Sequence, residues 1–65
     1  MQIRGTTGIA ELLHRHPDVL SVFRWYDVAL DEDDAAMTVW QLSVAYEIDL
    51  DELLFELRIA AEDAG

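Results

Sequence analysis

Cysteine and lysine are both missing from this 65-residue chain, and proline occurs once, at Pro17. Without thiols the chain has neither a disulfide framework nor a thiolate metal site. Its only fixed cations are Arg4, Arg15, Arg24 and Arg58, set against fourteen Asp and Glu, for a formal charge of −10. Such a chain repels phosphate, so no nucleic-acid partner is expected, and anionic lipid is opposed for the same reason. No apolar run approaches the roughly 20 residues that span a bilayer. Met1 to Ala10 carry Gly5, Thr6, Thr7 and Gly8 in place of the apolar stretch of a secretory signal. No membrane association and a cytoplasmic location are therefore expected.

Apolar residues nevertheless make up 52% of the chain, which argues against an acidic disordered tail. The acidity belongs to a surface around a core. One domain fits this length, and it is marginal in stability, because folding at this size hides only about 60% of the surface of the unfolded chain. A lysine-free, aspartate-rich surface also fits solvation at high salt, an alternative that melting temperature against salt concentration decides.

Residues 1–7 read as an N-terminal arm without helical periodicity, residues 8–63 as a single helical domain, and residues 64–65 as a frayed end. Ile9, Leu12, Leu13 and His16 mark one face of a first helix, which Pro17 ends while starting a second. Val19, Val22, Phe23 and Tyr26 form the stripe of that second helix. Asp31, Glu32, Asp33 and Asp34 repel one another, so the stretch from Asp27 to Met37 reads as a long solvated connection. Thr38 with Gln41, and Asp49 with Glu52, have capping-box spacing and start two further helices. Val39, Leu42 and Tyr46 supply the buried face of one, and Leu50, Leu53, Leu54, Leu57 and Ala61 that of the other. The expected fold is all-α, a compact bundle of four or so short helices, its core formed by these stripes.

Taken together, the short first helix, His16-Pro17, Val22-Phe23, Tyr26, Thr38-Val39 and Ile48-Asp49-Leu50-Asp51-Glu52-Leu53-Leu54 form a pattern over about residues 8–57. It resembles the small N-terminal domain of ScdA/RIC-type iron–sulfur cluster repair proteins and its free-standing relatives of unknown function in bacteria and archaea. The resemblance implies a bacterial helical domain near redox or metal chemistry, with a cysteine pair after the second helix. Here that stretch reads Leu30-Asp31-Glu32-Asp33-Asp34, so the thiol function does not carry over. Asp27 and Glu47 stand where the family tends to place helix-ending glycine. If those positions are left-handed, each non-glycine residue costs roughly 1 kcal/mol, and aspartate less.

Several chemistries can be weighed on the residues themselves. Asp31, Glu32, Asp33 and Asp34 offer oxygens to a hard cation, but without the alternating ligands, turn glycine and closing glutamate of an EF-hand they read as solvated. His14 and His16 point about 200° apart on a helix and chelate together only where the helix has ended. His14 is expected to be exposed, and His16 to be packed with its ring N–H on a carbonyl. Ser21 and Ser43 have no activating motif, the attachment motif of an acyl carrier is missing, and Val39 to Glu47 has none of the basic residues a DNA-reading helix needs. No cofactor is expected, and no enzyme. By contrast, Trp25, Trp40, Val44, Phe55 and Ile59 project opposite the core stripes. The expected function is a non-catalytic protein-interaction module that docks on itself as a homodimer, or on another protein. The alternative is an accessory protein of iron–sulfur or redox metabolism with a metal-related role.

Overall fold

Pro17 has no N–H to donate, and its ring fixes the backbone for a new turn, so the chain breaks at His16 between two helical elements. The computed structural model describes residues 2–63; the frayed end expected at 64–65 lies outside the described residues. Along the chain run α1 (Ile9–Arg15), a 3₁₀ turn (Pro17–Val19), α2 (Leu20–Trp25), α3 (Glu32–Ala35), α4 (Val39–Ala45) and α5 (Leu50–Asp63). The fold is all-α, and α5 is its spine, packing against α4, α2 and the 3₁₀ turn. Ile9, Leu12, Val19, Phe23, Val39, Leu42, Leu53 and Leu57 meet in the core with no exposed surface.

Helices α1 and α4 begin side by side in an antiparallel bridge between Gly8 and Thr38. Each donates its first orphan N–H across the bridge, Ile9 to the Met37 carbonyl and Val39 to the Thr7 carbonyl, both at 2.9 Å. For α4 the satisfaction is complete. Trp40 N–H reaches the Gly5 carbonyl at 2.9 Å, and Gln41 N–H reaches Thr38 Oγ1 at 3.2 Å. Gln41 Oε1 accepts from Thr38 N–H in return, closing the expected capping box. At α5 the forward half of the second box forms, Glu52 N–H donating to Asp49 Oδ1 at 3.1 Å.

The helix ends explain Asp27 and Glu47. After α2, Val28 N–H bonds to the Phe23 carbonyl and Asp27 N–H to the Arg24 carbonyl. After α4, Ile48 N–H bonds to Ser43 and Glu47 N–H to Val44 in the same pattern. Both are Schellman closures, and both place an acidic residue in the left-handed region, Asp27 at φ 63° and Glu47 at φ 55°. Both carboxylates stand at the negative end of a helix dipole, and Glu47 is the worse placed because aspartate tolerates the left-handed region better than glutamate. Glu47→Gly is therefore expected to raise the unfolding free energy by about 0.5–1 kcal/mol, the relieved strain being partly offset by the entropy glycine gives the unfolded chain. Urea denaturation checks it, with Glu47→Ala separating charge from strain; an alanine variant as stable as the glycine one assigns the gain to charge alone. Leu30, at φ 53°, is strained without capping anything. Its left-handed backbone delivers a half-buried side chain to the core.

Four expectations need correction. The stretch from Asp31 to Asp34 is not a solvated loop: Asp31 caps α3, its Oδ1 accepting from Asp34 N–H at 3.0 Å. Carboxylates that repel one another still favour the positive end of a helix, and three occupy the first turn of α3. Asp34 is also buried, at 6% exposure. Tyr46 is 36% exposed rather than core, because α4 stops at Ala45 and the next residue leaves the stripe. Val28 and Ile3 are core residues outside every helical stripe. Ile3 brings the arm onto the bundle, where its carbonyl accepts from Arg58 Nε and Nη2 at 3.2 and 2.9 Å.

Candidate functional site

Helical geometry puts residues four apart on one strip, and α4 and α5 each carry an apolar strip on the side away from the core. Trp40 and Val44 form the first, Phe55 and Ile59 the second, and all four are exposed. Trp25, at the end of α2, is the most exposed large apolar residue at 74%; Ile59 is the least exposed of the five at 38%. Trp40 lies over the arm, its Cβ within 3.4 Å of the point where a Gly5 side chain would begin. Trp25 instead packs edge-to-face on Tyr26, with ring centroids 4.9 Å apart and planes at 88°. It also lines a groove of about 330 Å³ with Ser21, Val22 and Glu56, between α2 and α5.

Acidic groups cluster beside Tyr26. Glu52, Glu56 and Asp49 gather near the Tyr26 hydroxyl, which is buried and has no hydrogen-bond partner among the described residues. Burial first, and then the charges of Glu52 and Glu56, raise this phenol above its ordinary value. Glu52 stands beside the hydroxyl without reaching hydrogen-bond geometry. Among the described residues one ion pair forms, Arg15 with Glu11 at 3.5 Å across exposed turns of α1.

A second polar feature ties α3 to the end of α4. Tyr46 donates its hydroxyl to Asp34 Oδ2 at 2.5 Å, a charge-assisted bond between residues twelve apart. That bond, helped by partial burial and by the charges of Asp34 and Asp31, pushes the Tyr46 phenol up to about 12 from 10.0. Both folded and unfolded chains keep this proton below pH 10, so the stabilisation is complete there. Between pH 10 and about 12 the unfolded chain ionises first, and the stabilisation is lost as pH rises through the folded value. The expected result is that wild type exceeds Tyr46→Phe in stability at neutral pH and that the gap closes across that window. Urea denaturation of both proteins at stepped pH measures it. A gap that stays constant to pH 12 would show that the bond does not govern the phenol.

His14 is exposed, and His16 is half-buried at the break between α1 and the 3₁₀ turn. The His16 ring makes no hydrogen bond to a carbonyl among the described residues, contrary to expectation. It lines an open concavity of about 700 Å³ with Gln2, Ile3, Arg58, Ala61 and Glu62. Among the described residues, no three of His, Asp and Glu come together as a metal-binding group, and Asp31, Glu32, Asp33 and Asp34 are occupied in capping and forming α3. No described helix is long and apolar enough to cross a membrane. No family model, curated protein or solved structure matches the chain.

Proposed function

We propose that this chain is a non-catalytic helical interaction module that associates with a second copy of itself through the exposed strips of α4 and α5. The observation that carries the reading is the pairing of Trp40 with Val44 and of Phe55 with Ile59, both in register and both outside the core. A large aromatic buries about 150–250 Å² on contact, whereas a stable interface takes about 800 Å² from each partner. Neither strip suffices alone, so the dimer uses both, with arm and loop residues at its rim. Two copies at −10 repel each other, and association therefore strengthens as salt screens the acidic rim. Sedimentation at micromolar concentration in low and high salt is the test. A dimer favoured by salt and lost in Trp40→Ala or Phe55→Glu supports the reading; a monomer under every condition removes self-association.

A further inference from the structure

The groove between α2 and α5 has a different chemistry from the α4 and α5 strips. Its lining residues are Val22, Trp25, Ser21 and Glu56. An apolar floor, an aromatic wall and one carboxylate match the two ends of an arginine or lysine side chain, whose stem is apolar and whose head is cationic. The indole is also held in place, because it packs edge-to-face on Tyr26 while 74% of the residue stays exposed. A wall already positioned loses little freedom when it is covered.

Charge selects the occupant. Glu52 and Asp49 join Glu56 around the buried Tyr26 hydroxyl, and the ion pair seen among the described residues lies elsewhere, on α1. A second copy has only four arginines against fourteen acids to offer this cluster, so a basic segment of another protein complements it better. We propose that the groove lined by Trp25 and Glu56 receives a basic side chain from a cationic, amphipathic segment of a partner protein. The basic head stacks on the indole and pairs with Glu56, with Glu52 reinforcing the field, while apolar neighbours of the segment cover Val22. This rests on the interaction-module reading and deepens it, through a groove that shares no lining residue with the proposed dimer strips.

The experiment uses the full chain carrying Trp40→Phe, so that Trp25 is the sole indole. The probe is a short amidated amphipathic helix of leucine and arginine, and the control is the same peptide with glutamate for every arginine. Expected are a saturable change in Trp25 fluorescence with the arginine peptide alone, and an affinity that falls with salt. By calorimetry, Trp25→Ala weakens binding about tenfold or more and Glu56→Gln about threefold or more, with Trp25→Phe in between. Circular dichroism confirms that each variant is folded. Absence of saturation, equal binding of both peptides, or an affinity untouched by Trp25→Ala and Glu56→Gln overturns the proposal. A Trp25 signal that depends on protein concentration without peptide would also overturn it, by assigning this face to a second copy. Sedimentation of Trp40→Ala tests the dimer separately, since that substitution leaves the groove intact.

Discussion

Leu53→Ala lowers the unfolding free energy by about 2–5 kcal/mol, enough to consume most of the stability of the domain. At about 0.05–0.15 kcal/mol per residue, a chain of 65 residues holds roughly 3–10 kcal/mol in total. Leu53 has no exposed surface and sits on α5, the helix that packs against α4, α2 and the 3₁₀ turn. Truncation loses the transfer energy of the removed methyls and leaves a cavity that three neighbouring elements must collapse to fill. Leu54, the next residue, is only half-buried, so Leu54→Ala costs less than Leu53→Ala. Urea denaturation followed by circular dichroism reads both variants, a shifted midpoint at constant slope reporting stability alone. A loss below about 1 kcal/mol for Leu53→Ala would remove it from the core.

The difference between these two leucines marks how far periodicity reaches. A stripe shows which side of a helix is covered, and the stripes of α1, α2 and α5 face the core as expected, as does that of α4 up to Leu42. It does not tell which residue of the stripe lies deepest, because depth depends on where neighbouring helices cross. The same limit governs the exposed residues. Outward projection of Trp25, Trp40, Val44, Phe55 and Ile59 from three helices follows from spacing, whereas how near the three groups come to one another depends on how the helices pack.

Residues off the stripes were less legible, each for its own reason. Val28 is buried because it follows a left-handed Asp27 and folds back over Phe23, a Schellman closure that a glycine at position 27 would have announced. Tyr46 follows the α4 stripe in number, but the helix ends before it, and its hydroxyl turns to Asp34. That bond spans a loop and a helix, and local spacing contains no sign of it. In α3 the repulsion among carboxylates was the visible signal, while the cap from Asp31 and the helix dipole were the stronger effects.

Ile3 was the least legible core residue, an isolated apolar side chain in a polar segment, yet Ile3→Ala is expected to cost about 2–5 kcal/mol. It is 2% exposed, and its carbonyl is held by the Arg58 guanidinium through two hydrogen bonds. The side chain and the carbonyl together dock the arm, and the docked arm then supplies the Thr7 and Gly5 carbonyls that accept from Val39 and Trp40. Losing Ile3 therefore exposes apolar surface and also leaves two N–H groups at the start of α4 without partners. Arg58→Met, which keeps an apolar stem, is expected to cost about 1–2 kcal/mol, since Arg58 is exposed and water replaces part of its bonding. Because both changes undock one segment, the double variant should lose less than the two single losses combined. Amide exchange at Val39 and Trp40 should quicken in either single variant, while exchange at Leu57 tracks global stability. Additive losses with slow exchange at Val39 and Trp40 would mean that the arm stays docked without either grip, and that Thr7 and Gly5 cap α4 independently of Ile3.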